Sequence, residues 1–132
     1  MAKPRPHPTA ETQAFWDGCA AGELRYQRCS TCGTAQSLPR PWCQQCEATT
    51  LEWQTAAGRG RLLSFTVVHR APTVDWRDDV PYVIALVELD EGFRLMANVA
   101  GGEQAGLVPD AKVTIGFTVR DGVALPEIHL VR

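Results

Sequence analysis

From residue 51 onward, apolar and polar residues alternate in short runs, which is the pattern of β-strands with one buried face. The run 112–120 is the clearest, because its odd-numbered positions from Val113 to Val119 are all apolar. Asp121-Gly122 follows it and is a strong hairpin signal. Similar runs cover 62–68, 82–89, 93–99 and 123–131. A small barrel buries one face of each strand and removes sheet edges, so we predict a mainly β fold with a five-stranded OB-fold barrel, and a small β-sandwich is the second choice.

The N-terminal part of the chain predicts a short helix and then a strand. Thr9 suits the N-cap and Gly22 suits the position just past the end, so we expect the helix to run from Thr9 to Ala21. Leu24 and Tyr26 then alternate with polar residues, which predicts a short strand.

Two Cys-x-x-Cys pairs follow this strand. The first is Cys29 and Cys32, the second is Cys43 and Cys46, and ten residues separate the pairs. A two-residue spacing forms a tight turn that directs both sulfur atoms to one point, and two such turns complete a tetrahedron with Zn–S distances of about 2.3 Å. Gly33 lies where such a turn favours a positive φ. Because four thiolates leave no open coordination position, we predict a structural zinc ion and not a catalytic one.

Other chemistry stays open for these cysteines. Iron fits the same sulfur cage and would make the protein a rubredoxin-like electron carrier. Two redox-active dithiols, or buried free thiols, are the remaining alternative. Cys19 is left over from the two pairs, and we interpret it as a small buried apolar residue of the helix.

Composition and charge narrow the function classes. The 132-residue chain is 45% hydrophobic and carries 13 basic against 15 acidic residues. Neither 1–56 nor 57–132 has an excess of basic residues, which argues against a nucleic-acid-binding surface. No apolar stretch approaches the roughly 18 residues that a membrane span requires. The N-terminus lacks the apolar segment of a secretory signal, so we expect a cytoplasmic protein.

The order of motifs resembles one protein family from about Ala10 to about Leu130. It is the family of small proteins with an N-terminal rubredoxin-like zinc ribbon and a C-terminal OB fold. The resemblance of the chain to this family implies a flexible tail at 1–9, a helix and zinc ribbon at 10–56, and an OB-fold domain at 57–132. In the turn at 108–112, family members usually carry a glycine that this chain lacks. Besides the cysteines, the matching motifs are Phe15-Trp16, Gly22-Glu23-Leu24, Gly58-Arg59-Gly60, the run 64–70, Pro81-Tyr82-Val83 and the run 85–89.

The resemblance implies an accessory role in acyl-CoA chemistry. Family members are partner subunits of thiolase-superfamily enzymes, in acyltransferase, thiolase or retro-aldolase complexes that act on acyl-CoA thioesters. Some are fused to or paired with hot-dog-fold enoyl-CoA hydratases in steroid side-chain degradation. The resemblance therefore implies a 2:2 heterotetramer with a thiolase-superfamily protein, structural zinc, and a CoA thioester as a ligand shared at the interface.

Three aromatic residues are candidates for the partner interface. Phe15 and Trp16 are adjacent on a short helix and cannot both face a small core, and Trp76 lies in a polar loop. The alternative for Phe15 and Trp16 is that they cover the junction between ribbon and barrel.

Basic residues beside the first barrel strand are candidate CoA contacts, because guanidinium groups bind phosphate well. They are Arg59, Arg61, His69 and Arg70. The alternative is a solvated strand edge, with His69 as a half-exposed strand residue.

Motifs of an autonomous active site, such as G-x-S-x-G or H-E-x-x-H, do not occur in the sequence. We therefore expect the non-catalytic subunit of an enzyme complex. The alternative function is a single-stranded nucleic-acid-binding OB-fold module, which the fold would allow and the charge disfavours.

Overall fold

A computed structural model describes residues 7–37, 39–71, 74–102, 107–120 and 122–131, without the side chains of Asp75, Trp76 and Asp79. Most of the predicted tail lies outside these residues. Within the described ranges, one α-helix and eight strands follow one another, with 3-10 helices at Val74–Asp79 and Ala100–Gly102. They are α1 (Gln13–Ala20), β1 (Leu24–Cys29), β2 (Ala35–Gln36), β3 (Leu51–Ala56), β4 (Arg59–Val68), β5 (Tyr82–Leu89), β6 (Arg94–Asn98), β7 (Lys112–Arg120) and β8 (Val123–Leu130).

The second half of the chain forms the predicted OB-fold barrel. Its five strands pair in the order β6-β5-β4-β7-β8, and every pair is antiparallel. A parallel bridge between Val99 and Ile128 brings the end of β6 to β8 and closes the sheet. The prediction of a barrel is confirmed over the alternative of a sandwich.

Strand β4 bends between its two neighbours. It pairs with β7 only over Arg59–Arg61 but with β5 as far as Val68, and the register shifts between Leu62 and Ser64. A bulge there increases the local twist and helps the sheet to close. The glycines of Gly58-Arg59-Gly60 predict a turn or bulge, and Gly58, with a φ of 77°, lies in the turn between β3 and β4. The bulge of β4 is a separate feature that the sequence did not indicate.

A second, three-stranded sheet forms the ribbon, with β1 between β2 and β3. All six residues of β1 pair with β3, from Leu24 opposite Ala56 to Cys29 opposite Leu51. Leu24 and Tyr26 are buried, as the alternation predicts.

Helix α1 begins four residues later than predicted. The Thr9 carbonyl accepts hydrogen bonds from the backbone N–H groups of Thr12 and Gln13, which forms a turn before the helix. Thr12 is therefore the N-cap, although its side chain makes no capping bond. Thr9 and Thr12 instead place their hydroxyl oxygens 3.1 Å apart. Gly22 adopts a φ of 76° just past the helix, as predicted.

Ribbon and barrel share one hydrophobic core, because Leu24 and Tyr26 belong to the same buried cluster as the barrel residues. The Tyr26 ring stacks on Phe93 with centroids 4.6 Å apart. Arg28 lies over the Tyr26 ring and donates hydrogen bonds to the carbonyls of Gly33 in the ribbon and Glu91 in the β5–β6 turn. The ribbon is thus held against one hairpin of the barrel.

The turn at 108–112, where the resemblance implies a glycine, contains Asp110. Asp110 has a φ of 66°, in the left-handed region that glycine adopts without strain. Aspartate tolerates this region better than most residues. Its carboxylate pairs with Arg61, which links the turn to β4.

Gly60 is the glycine that the barrel depends on for close packing. A Cβ atom added there would lie 2.2 Å from the carbonyl oxygen of Glu88 on β5. We expect Gly60→Ala to lower the free energy of unfolding by about 2 kcal/mol or more, because backbone atoms must move. Urea denaturation measures this loss, with exposed Ser64→Ala on the same strand as the control. Equal stability of the two variants would contradict the packing of β4 on β5.

Candidate metal centre and barrel cleft

The two Cys-x-x-Cys turns have the same backbone hydrogen bonds. The N–H of Cys29 donates to the Thr34 carbonyl and the N–H of Cys43 donates to the Ala48 carbonyl, over 2.9 and 2.8 Å. In each turn, the carbonyl of the first cysteine also accepts a hydrogen bond from the N–H of the residue four positions later. Gly33 does so at 2.8 Å and Glu47 at 3.0 Å. The two turns are therefore repeats of one local structure.

Both returning residues adopt the left-handed conformation. Gly33 has a φ of 78°, as its position predicted, and Glu47 has a φ of 65°. The sequence did not indicate Glu47, because glutamate carries no preference for this region. The second turn is consequently strained where the first is not.

The sulfur atoms converge as the spacing predicts. The Sγ atoms of Cys29, Cys32, Cys43 and Cys46 lie within 4.8 Å of one another. The pairs Cys29–Cys46 and Cys32–Cys43 are each 3.6 Å apart. Tetrahedral coordination with Zn–S bonds of about 2.3 Å places the sulfur atoms roughly 3.8 Å apart. These distances fit one tetrahedral metal ion, and the four side chains fill its coordination positions.

Backbone and hydroxyl groups around the sulfur atoms lower the pKa of two of the cysteines. A hydrogen bond from the Cys32 backbone N–H lowers the pKa of Cys29 to about 6, despite its burial. The Thr34 hydroxyl, 3.1 Å from Cys32 Sγ, lowers the pKa of that cysteine. Both groups favour the charged form, which is the form that binds metal.

The pKa of Cys46 indicates that the four thiols do not all ionise in the absence of a cation. The Ala48 backbone N–H stabilises its thiolate, but loss of solvent and the three neighbouring sulfur groups raise the pKa of Cys46 to about 12. Crowded sulfur atoms resist full ionisation until a cation balances them. Such repulsion among neighbouring thiolates is expected at a metal site, where the bound cation offsets it.

Cys19 is separate from this cluster. It is buried on α1, and burial raises its pKa to about 11, so the thiol stays protonated and unreactive. Its interpretation as a small buried residue is confirmed.

The candidate CoA contacts lie in two pairs, one at each end of β4. Arg59 and Arg61 lie at the start of β4, and His69 and Arg70 follow its end. At about 3.3 Å per strand residue, the two pairs are separated by at most roughly 30 Å, because β4 also bends between them. Arg61 also contacts the carboxylates of Asp110 and Glu88, which raise its pKa, and their negative charges would oppose the binding of a phosphate.

A cleft of about 760 Å³ lies between α1 and the barrel. Phe15 and Trp16 meet edge to face, with ring centroids 5.0 Å apart. Both rings line the cleft, and Phe15 also packs against the shared core. Among its other lining residues, Met96 and Val119 are 69% and 70% exposed. The sequence did not identify these two residues, because the closure of the barrel brings β6 and β7 to the cleft.

Trp76 belongs to the 3-10 helix Val74–Asp79, but its side chain lies outside the described residues. Its role at an interface stays a prediction. No helix in the described part of the chain is long and apolar enough to cross a bilayer.

Metal content tests the cluster directly. We expect protein purified without chelators to be colourless and to hold about one zinc ion per chain. Cys43→Ser should lose that zinc, while Cys19→Ala should retain it. Elemental analysis measures both, and a red-brown protein with thiolate-to-iron absorption would contradict the assignment of zinc.

The strain at Glu47 gives a second test. We expect Glu47→Gly to raise the free energy of unfolding of the zinc-loaded protein by about 0.5–1 kcal/mol, because glycine removes the cost of the positive φ. Gly33→Ala at the matching position of the first turn should destabilise it. Chemical denaturation measures the two effects, and loss of stability in Glu47→Gly would refute the matched geometry.

Comparisons with known proteins agree with this geometry. Residues 16–52 match the ChsH2 rubredoxin-like zinc ribbon domain, and residues 53–120 match the ChsH2 C-terminal OB-fold domain. The chain is 41% identical over 116 residues to the 3-oxo-4,17-pregnadiene-20-carboxyl-CoA hydratase alpha subunit of Mycobacterium tuberculosis. It is 36% identical over 119 residues to a probable enoyl-CoA hydratase alpha subunit of Thermomonospora curvata. These matches cover 88% and 89% of the chain but 34% of each relative, so the chain spans about a third of their length.

Shorter and structural relatives extend the comparison. A DUF35 domain-containing scaffold protein of Methanocaldococcus jannaschii is 38% identical over 73 residues, which are 54% of this chain and 51% of the relative. A chain of the solved Ltp2-ChsH2(DUF35) aldolase superposes with a TM-score of 0.83 at 30% identity, covering 96% of this chain and 98% of that one. A DUF35 protein of unknown function from Sulfolobus solfataricus has a TM-score of 0.65 at 15% identity, over 92% and 86% of the two chains, and supports the fold alone.

Both domains and their order are thus those of a known group: the chain belongs to the ChsH2 family, whose members join a rubredoxin-like zinc ribbon to a C-terminal OB-fold domain.

Proposed function

We propose that this chain is the non-catalytic subunit of an enzyme complex that acts on acyl-CoA thioesters, with a thiolase-superfamily protein as its catalytic partner. The observation that carries the proposal is the similarity along 96% of the chain to a chain of the Ltp2-ChsH2(DUF35) aldolase. The names of two further relatives describe them as alpha subunits of hydratases, one of them acting on a steroid-derived CoA thioester. The proposal extends this subunit role to the present chain and includes a place in steroid side-chain degradation.

The chemistry of the chain supports a scaffolding role. Among the described residues, the four cysteines are the cluster of histidine, cysteine and carboxylate groups placed to hold a metal. Because all four ligands come from the protein, no coordination position is left for a substrate. The nucleophile and the acid–base groups would then belong to the partner.

We place part of the partner interface at the cleft between α1 and the barrel. Met96 and Val119 expose large apolar side chains there, beside the indole of Trp16. Exposed apolar groups around an aromatic residue are typical of the centre of a protein interface. Phe15 supports Trp16 from the core side, and Trp76 stays a proposed contact.

For the CoA thioester, the geometry favours one pair of basic residues over the other. The end of β4 pairs with the start of β5, since Val68 lies opposite Tyr82, and Tyr82 lines the cleft. His69 and Arg70 follow Val68 and are exposed at this end. We therefore propose His69 and Arg70 as phosphate contacts of a substrate shared at the interface, and assign Arg59 and Arg61 to the opposite end.

Co-expression with the thiolase-superfamily protein of the same organism tests the proposal. We expect one co-purifying 2:2 heterotetramer, measured by size-exclusion chromatography with light scattering, and acyl-CoA cleavage or transfer only in its presence. Two proteins that elute separately and work alone would refute the proposal. A hot-dog-fold hydratase is the second partner to co-express, and its capture in place of the thiolase would refute the choice of partner.

A matched pair of variants tests the cleft as the interface. We expect Met96→Glu to weaken the complex at least about tenfold, because a carboxylate would be buried at the contact. Val131→Glu is the control, because Val131 is likewise an exposed apolar residue but lines a different cleft, beside Arg61. Surface plasmon resonance measures both, and equal affinities would exclude this surface.

The nucleic-acid alternative receives no support from the site. The described charged residues of the cleft are Asp78, Arg120 and Glu127, which give it no cationic surface. We expect no oligonucleotide binding below about 1 µM at low salt, and tight binding with a steep salt dependence would contradict the proposal.

A further inference from the structure

Two buried glutamines lie behind the second cysteine turn. Gln27 and Gln36 are 6% and 4% exposed and are the buried polar side chains of the described residues. They lie directly opposite each other on β1 and β2. A buried amide is costly unless its oxygen and nitrogen are hydrogen-bonded, so their partners carry information.

The two side chains bind each other and then the backbone of the loop that leads to the second turn. Gln36 Nε2 donates to Gln27 Oε1 over 2.9 Å. Gln27 forms hydrogen bonds with both polar backbone groups of Arg40. Its Oε1 accepts from the Arg40 N–H at 2.9 Å, and its Nε2 donates to the Arg40 carbonyl at 3.0 Å. This pair imitates the hydrogen bonds of a neighbouring strand.

Gln36 holds the residues on both sides of the metal ligand Cys43. Its Nε2 donates to the Trp42 carbonyl at 3.3 Å, and its Oε1 accepts from the Gln44 N–H at 3.0 Å. Cys43 lies between these two contacts and is fully buried. Cys43 also has its turn hydrogen bonds to Ala48 and Glu47, and one side-chain amide holds the backbone on both sides of it.

The sequence of the loop explains why side chains take this role. Pro39 and Pro41 have no backbone N–H, so the loop cannot pair with β2 as a regular strand. The first turn needs no such help, because Cys29 is the last residue of β1 and pairs with Leu51 of β3. The segment that leads into the first turn is held by a sheet, and the segment that leads into the second is held by glutamines.

We propose that Gln27 and Gln36 are positioning residues for metal binding, which hold Cys43 and Cys46 at the distance that the first turn requires. The proposal rests on metal binding by the four cysteines. Groups that orient metal ligands commonly change metal affinity 10–100-fold when they are removed. The glutamines act only through the backbone of the loop and touch no sulfur atom in the structure.

The test uses Gln36→Met and Gln27→Met, which keep the length of the side chain and remove its hydrogen bonds. Gln45→Met is the control, because Gln45 is exposed and adjacent to Cys46. The zinc-loaded proteins are mixed with a chromogenic chelator, and zinc transfer is followed by absorption. We expect Gln36→Met to lose at least about tenfold in zinc affinity, Gln27→Met to lose less, and Gln45→Met to match the original protein.

The spectrum of the cobalt-substituted protein separates positioning from general stability. If the glutamines position the ligands, the visible Co²⁺ bands of Gln36→Met shift or broaden, because the tetrahedron is distorted. Unchanged bands together with an affinity within twofold of the original protein would overturn the proposal. An original protein without stoichiometric metal would instead overturn the metal site itself.

A measurement on the original protein covers the case in which the variants fail to fold. In the zinc-loaded protein, we expect the backbone amides of Arg40 and Gln44 to exchange with deuterium as slowly as those of β1. Rapid exchange at both positions would show that the glutamines do not hold the loop, and would overturn the proposal.

Discussion

The convergence of four cysteine sulfur atoms is the constraint on which the N-terminal half of this structure depends. The loop 39–50 contains no strand and no helix, and two of its residues are prolines. Such a segment buries too little apolar surface to be ordered by packing, and its prolines lack the N–H groups that strand pairing needs. A metal held by Cys43 and Cys46 ties it to β1, which ends at Cys29. Binding energy at such sites is folding energy, so a bound ion would give the ribbon its rigidity.

This rigidity reaches the barrel through two residues of β1. Tyr26 stacks on Phe93, and Arg28 joins the Gly33 carbonyl of the first cysteine turn to the Glu91 carbonyl of the β5–β6 turn. Metal site, β1 and barrel hairpin therefore form one connected structure. The proposed role as a subunit that presents a surface to an enzyme needs such fixed geometry, since ordering a mobile surface on binding costs affinity.

The sequence predicted the features that depend on local pattern. The alternation at 82–89 corresponds to β5, Tyr82–Leu89, and the paired spacing identified the cysteine cluster. Features that depend on partners distant in sequence were missed. The bulge at Leu62–Ser64 is one example, because β4 must bend there between β5 and β7. The start of α1 at Gln13 was missed for a local reason, because Thr9 and Thr12 bond to each other. No local signal distinguishes Gln36, which is buried only because β2 pairs with β1.

Hydrogen–deuterium exchange of the full chain with and without zinc tests the central claim most directly. If the sulfur cluster determines the structure of the ribbon, removal of zinc should increase exchange throughout β1, β2, β3 and the cysteine turns. It should also increase exchange at the β5–β6 turn around Glu91, while β7 and β8 keep their protection. Equal protection of the ribbon in both states would contradict the account, because the ribbon would then hold its shape without the metal.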